Sequence, residues 1–277
     1  MRGSACLRQG RGRMTPVSVH QGSSPIVLGF PHTGTYVPDD IAARLNDNGR
    51  LLADTDWHID RLYGGLLADA TTVTANFHRY VIDANRDPEG ESLYPGQNTT
   101  TLIPLTDFDG RDIWDTPPDE ADIDTRRRDF HAPYHAALAA EMARVQDLHG
   151  VAILYDCHSI RSHIPFLFDG VLPDLNIGTN SGATCAPRIE QCVWDLAAAA
   201  PAYTSVLNAR FKGGWTTRHY GRPAQGWHAI QMEIAQSAYL ESEAAPWTYD
   251  DKRAARLRLH LAQMLNGLAN LAPELRT

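Results

Sequence analysis

The strongest constraint in this chain is a pattern that occurs twice: a short apolar run that ends on a histidine. The first is Ile26-Val27-Leu28-Gly29-Phe30-Pro31-His32-Thr33-Gly34, the second Val151-Ala152-Ile153-Leu154-Tyr155-Asp156-Cys157-His158-Ser159. Each run is too short for a core helix and too continuous for a strand with one wet face. Each therefore predicts a fully buried strand that stops at a polar turn containing Gly or Ser. In an open α/β sheet the carboxyl ends of the strands form the ligand crevice. Two imidazoles delivered there from different strands point to half of a metal site and to hydrolytic chemistry.

The rest of the chain alternates strand and helix, which predicts an α/β sheet. Pro38-Asp39-Asp40 opens a short helix, and Asp54-Thr55-Asp56 has the composition of an N-cap for a helix running to about Ala68. Residues 73–81 are β-rich. Residues 85–122 lack periodicity and form a long loop, the kind that carries function in compact domains. Phe130, Tyr134, Leu138, Met142, Val145 and Leu148 give residues 124–148 a helical apolar stripe, ended by Gly150. A short strand and glycine-rich loop are expected over 165–182, helices over 190–200 and 204–209, a polar loop over 212–223, a strand over 228–234 and an amphipathic helix over 250–271. No linker divides residues 21–277, which read as a single α/β hydrolase domain.

Composition excludes several classes of function. The chain has 277 residues, 43% of them hydrophobic, enough for a sizeable core, and a net charge of −8 without a basic, aromatic-rich patch, so nucleic acid is not an expected partner. No apolar run approaches the roughly 18 residues of a membrane span. Cys6, Cys157, Cys185 and Cys192 match neither metal-binding pairs nor a disulfide framework, which suits the reducing cytoplasm. Residues 1–20 read as a disordered leader. Its first part, with Arg2, Arg8, Arg11 and Arg13, lacks the apolar stretch of a secretory signal, and Met14 offers an alternative start.

Two histidines need a third ligand, and the nearest acids are Asp54, Asp56 and Asp60. Asp56 is favoured, with Asp54 next. Glu233, in Gln231-Met232-Glu233-Ile234, is a carboxylate inside an apolar strand, which is costly unless it is paired or faces a polar cleft. That marks it as a general base or as half of a buried ion pair. Arg86, beside Asn85, is a fork-shaped donor suited to a substrate carboxylate or to a surface ion pair. Arg161 follows His158 closely enough to reach the same cleft. The dense polar segment from Gly213 to Gly221, with Thr217, His219 and Tyr220, offers donors for substrate or an oxyanion, or is simply a polar turn.

Taken together, Pro31-His32-Thr33-Gly34, Asp54-Thr55-Asp56, Asn85-Arg86-Asp87-Pro88, Asp156-Cys157-His158-Ser159-Ile160-Arg161-Ser162, the Gly213–Gly221 segment and Gln231-Met232-Glu233-Ile234 resemble the N-formylglutamate amidohydrolase family over residues 24–270. The resemblance implies a three-layer α/β/α fold with a mixed, mostly parallel central sheet, similar to zinc carboxypeptidases. It implies one zinc ion and hydrolysis of N-formyl-L-glutamate to formate and L-glutamate, a step of histidine degradation. His32 and His158 would match the histidine ligands, Glu233 the carboxylate that activates water, and Arg86 the arginine that holds a substrate carboxylate. Two positions depart from the pattern. Thr35 stands where zinc carboxypeptidases carry a ligand glutamate, so Asp56 as third ligand is an inference from this sequence. Thr33 replaces an expected serine and keeps its hydroxyl. On this reading Arg161 or His219 steadies the oxyanion, and Asn85, Arg86, Arg161, Thr217, His219 and Tyr220 bind substrate. The same residues would serve a zinc deacylase or carboxypeptidase acting on another N-acyl amino acid. An amino-acid-binding protein on this fold would bind without turnover and hold no metal. The partner expected is a small N-acyl amino acid.

Overall fold

The computed structural model describes residues 14–92 and 96–276. Along the chain lie β1 (Val17–His20), β2 (Ile26–Phe30), α1 (Asp39–Ala42), α2 (Asp47–Arg50), α3 (Ile59–Tyr63), β3 (Thr71–Ala75) and α4 (Glu120–Arg126). After a π turn follow α5 (Ala132–His149), β4 (Ala152–Ile160), β5 (Leu175–Gly178), α6 (Pro187–Ala198), β6 (Ser205–Leu207), α7 (Trp215–Tyr220), β7 (Trp227–Ala235) and α8 (Asp251–Leu271). The strands make one sheet in the order β1-β3-β2-β4-β7-β5-β6. Pairs β2–β3, β2–β4, β4–β7 and β5–β6 are parallel, whereas β1–β3 and β5–β7 are antiparallel. The expected mixed, mostly parallel sheet is present.

Strand periodicity sorts the core into two layers. Ile26, Leu28, Ile153, Tyr155, Ile230 and Met232 face α3, α6 and α8, while Val27, Val73, Leu154 and Ala229 face Tyr134, Leu138, Met142 and Val145 of α5. That is the α/β/α arrangement. Continuing the alternation, Asp156 and His158 of β4 and Gln231 and Glu233 of β7 share the α5 face, and His158 is in register with Glu233. The polar stretch predicted to break the second strand therefore does not end it. β4 runs on to Ile160 because β7 pairs with it along its whole length. β2 pairs with β4 only as far as Asp156 and then turns toward β3, while β4 connects to the opposite side of the sheet. This reversal opens the crevice in which ligands bind on such sheets.

Several local expectations are corrected. Asp54 and Asp56 do not cap a helix running to Ala68. α3 begins at Ile59, because both carboxylates are buried and accept tertiary hydrogen bonds instead. Residues 204–209 contain a strand, β6, since Ser205, Val206 and Leu207 pair with β5. The loop expected over 212–223 winds into α7. The helix expected from 124 starts at Glu120 with an Asp119–Asp122 capping box and passes through the π turn Arg127–His131 before α5. Gly150 closes α5 at φ 72, a conformation open to glycine. Leu148, assigned to the apolar stripe, is exposed. The disordered leader expected over residues 1–20 is also revised: Val17–His20 form edge strand β1 on β3, and residues 1–13 lie outside the described ones. Among the described residues no helix is long and apolar enough to cross a membrane. Cys157 packs in the core, and Cys6 lies outside the described residues.

Candidate active site

His32 follows β2 and Asp56 follows α2 in the connection to α3. A backbone hydrogen bond from Asp56 N to His32 O ties the two segments together. His158 enters from β4. Asp56 Oδ2 lies 3.2 Å from His158 Nδ1 and 3.8 Å from His32 Nδ1, and it accepts from Ser159 N at 3.0 Å. The three residues are buried and offer donor atoms all within 4.8 Å of one another. Asp54 is not part of this group. Asp54 turns away to accept from Tyr80 Oη and Phe108 N.

Each imidazole has a carboxylate behind it. His32 Nε2 lies 2.6 Å from Asp83 Oδ1, and His158 Nε2 lies 3.2 Å from Asp156 Oδ1. Such partners fix ring orientation and tautomer, leaving each Nδ1 directed at Asp56. His32 Nδ1 is buried and has no hydrogen-bond partner. An orphaned buried nitrogen costs about 1–3 kcal/mol. Two imidazoles and a carboxylate converging on one point could hold a metal ion, and such an ion would satisfy that nitrogen.

Electrostatics follow the same layout. Burial pushes the His32 imidazole down and the nearby Arg79 adds to this, against Asp83 and Asp56. Burial also opposes a charge on His158, but Asp156 and the bond to Asp56 outweigh it and hold this imidazole well above its ordinary value. Burial drives the Asp56 carboxyl up, yet the bond to His158 and the charges of His32, His158 and Arg79 bring it below the usual range. Glu233 differs. Burial pushes its carboxyl up to about 8, with Asp56 and Asp156 raising it further against His158 and Arg79. A carboxyl raised above the ordinary carboxylate range by burial is a common feature of general acid–base residues.

One cavity collects these groups. His32, Asp56, His158 and Glu233 line it together with Asn85 and Arg86, so six of the sequence-predicted site residues meet there. Asn85 Nδ2 lies 3.1 Å from His158 Nε2, and Asn85 Oδ1 accepts from Thr216 N at the start of α7. Arg86 donates to Thr100 O, Thr100 Oγ1 and Asn85 O, which orient its guanidinium. The remaining predicted residues are not part of the cavity wall. Arg161 Nη2 donates to Asp109 Oδ1, and the half-exposed His219 stacks on Trp215 at 4.3 Å. Tyr220 Oη donates to His135 O, and Thr217 Oγ1 donates to Asp156 Oδ2, which seats the carboxylate behind His158. The winding of α7 buries Thr217 and Tyr220, whereas a loop would have left them open to substrate.

The sequence reading missed several contributors. Asp83 sits in Val81-Ile82-Asp83-Ala84, an acid in an apolar run, the same signal that marked Glu233. Buried Arg79 lines the cavity, donates to Asp83 Oδ2 at 2.6 Å and approaches Asp56 Oδ1 at 3.9 Å. Gln231 links Gly214 N to Glu233 Oε2. His131 and His135, one turn apart, reach the carbonyls of Arg86 and Ala84, which brace the backbone on both sides of Asn85.

A model of the N-formylglutamate amidohydrolase family matches residues 24–240. The chain belongs to this family. Two relatives, the N-formylglutamate deformylases of Pseudomonas aeruginosa and Pseudomonas putida, are each 42% identical to it over 255 residues, 91% of this chain and 95% of theirs. The crystal structure of N-formylglutamate amidohydrolase from Ralstonia eutropha JMP134 superposes with a TM-score of 0.78 at 25% identity, covering 94% of this chain and 99% of that one. The Atu2144 gene product of Agrobacterium tumefaciens shares the fold, with a TM-score of 0.68 at 19% identity over 93% of this chain and 96% of its own. Like the family to which it belongs, the chain is a hydrolase acting on an amide bond.

Proposed function

We propose that the chain hydrolyses N-formyl-L-glutamate to formate and L-glutamate with one zinc ion. The observation that carries this reading is the meeting, in a single cavity, of the His32–Asp56–His158 group with the Glu233 carboxyl. The names of the 42% identical relatives supply the substrate. His32, Asp56 and His158 would hold the ion, since two imidazoles and one carboxylate suit zinc and leave room for water. When bound, zinc supplies Lewis-acid polarisation and lowers the pKa of water.

The protein's own groups then divide the work. Glu233 takes a proton from the attacking water and returns it to the nitrogen that leaves, so L-glutamate departs as a neutral amine. Arg79, already facing Asp56, is the donor best placed to steady the oxyanion, in place of Arg161 and His219. Arg86 presents its fork to the α-carboxylate of the substrate, held in direction by Thr100. Asn85, touching His158, keeps that ring aligned while substrate binds. The free thiols of Cys157, Cys185 and Cys192 suit a cytoplasmic enzyme, and histidine degradation is the setting in which this substrate would be met.

The test is formate release from N-formyl-L-glutamate combined with elemental analysis. Glu233→Gln is expected to keep its metal and lose about 10²–10⁴-fold in kcat. A variant with full turnover would remove Glu233 from the chemistry, and an active parent without bound metal would remove zinc.

A further inference from the structure

Asp56 lies in the irregular connection between α2 and α3, so no helix or sheet ladder fixes its carboxylate. Two bonds tie it to the histidines of the group: its N donates to His32 O at 3.1 Å, and its Oδ2 accepts from Ser159 N at 3.0 Å. A third tie comes from the strand that carries Glu233. Gln236 and Tyr239 follow the end of β7, and each reaches a backbone carbonyl beside Asp56. Gln236 Nε2 donates to Thr55 O at 3.0 Å, and Tyr239 Oη donates to Trp57 O at 2.7 Å. The carbonyls on both sides of the acid are thus held from β7. Tyr239 Oη also pairs with Ser159 Oγ at 2.7 Å. With its one proton given to Trp57 O, it accepts from that hydroxyl. Ser159 therefore meets Asp56 through its backbone and Tyr239 through its side chain.

Both side chains are buried, and Gln236 Oε1 has no hydrogen-bond partner. A methionine would fill similar space without stranding an oxygen, so the amide is unfavourable there unless its bond to Thr55 O offsets the loss. The same segment continues to Trp247, whose ring stacks on Trp57 at 4.5 Å and whose carbonyl lies 3.0 Å from His58 Nε2. His58 and Trp247 have φ values of 60° and 50°, a region unfavourable for residues with a side chain. Packing between the two segments overrides that preference where they meet. We propose, resting on the zinc reading given above, that Gln236 and Tyr239 are positioning residues that clamp Asp56 for the metal and fix it relative to Glu233.

The test measures zinc affinity by competition with a chelator, well below the melting temperature. Tyr239→Phe and Gln236→Met each remove one hold and nearly keep the volume. Each should weaken zinc binding about 10-fold, and the double variant about 100-fold. Cobalt(II) bound in place of zinc should show an altered visible spectrum in both variants, because the Asp56 oxygen is no longer held in place. At saturating zinc, kcat for N-formyl-L-glutamate should fall more than KM rises. Val193→Ala, a core change in α6 that lines no part of the cavity, should lower the melting temperature and leave zinc affinity and the cobalt spectrum as in the parent. Variants that bind zinc within about threefold of the parent and keep its cobalt spectrum would overturn the clamp, as would equal weakening by Val193→Ala. The metal measurements need no substrate, so they decide the clamp whether or not formate is released. A parent that binds neither metal would overturn the clamp together with the metal site beneath it.

Discussion

Asp83 is the residue on which the candidate site leans most heavily without lining it. Its carboxylate is fully buried. Oδ1 meets His32 Nε2 at 2.6 Å and accepts from Asn85 N at 2.8 Å, while Oδ2 accepts from Arg79 Nη2 at 2.6 Å. Burial opposes its charge, but Arg79, His32 and Arg86 hold its carboxyl well below the usual range. Every neighbour is a donor. Asp83→Asn keeps the shape and places an NH₂ against one of those donors, losing at least one charge-assisted bond and leaving the buried Arg79 guanidinium facing Asp56 at 3.9 Å. Breaking one side of a buried ion pair costs about 3–5 kcal/mol. At about 2–4 °C per kcal/mol for a chain of this size, the metal-free protein should melt roughly 6–20 °C lower. Zinc affinity should fall about 10- to 100-fold, since Asp83 sets the His32 ring and its tautomer. Calorimetry of metal-free protein and zinc competition against a chelator measure the two effects separately. A variant that melts within about 2 °C of the parent and binds zinc within about threefold would refute the reasoning.

Two further predictions follow from nearby geometry. A Cβ on Gly214 would overlap the Asn85 carboxamide, so Gly214→Ala should displace Asn85 from His158 and lower kcat/KM on the order of 10²-fold; unchanged kinetics would show that Asn85 is dispensable. Asp107 accepts from the backbone N of Asp109 and Arg111 and from the side chains of Arg111 and Asn48. Burial raises its carboxyl, but the bond from the Arg111 side chain leads the interactions that hold it below the ordinary value. A depressed folded pKa gives stability that is present above about pH 4 and lost as pH falls through the lower folded value. Asp107→Asn should therefore be less stable than the parent at neutral pH and converge with it in acid. Urea midpoints that differ by a constant amount across that range would contradict this.

How much was legible can be argued from particular residues. His32, His158 and Glu233 announced themselves because a polar group inside an apolar run is expensive, and that expense is visible in a one-dimensional string. Asp83, in Val81-Ile82-Asp83-Ala84, carries the same mark. The sequence favours Asp56 over Asp54 only weakly, since acids two positions apart differ only in where the backbone turns them. Thr217 and Tyr220 were read as open to substrate because a segment rich in Gly and polar residues has the composition of a loop. Packing against β4 and β7 winds it into α7 instead. Ser205–Leu207 became strand β6 because β5 was there to pair with it.

The sequence alone determined which segments must be buried, and therefore the α/β layering and the three polar groups stranded inside it, because burial preferences are properties of local composition. The tertiary structure decided the partners: Asp56 for His158 across 102 positions, Asp83 for His32 across 51, and Arg79 for Asp83 beside them. Those pairings depend on strand register and on the reversal between β2 and β4, and no local window of residues encodes the path a chain takes between them.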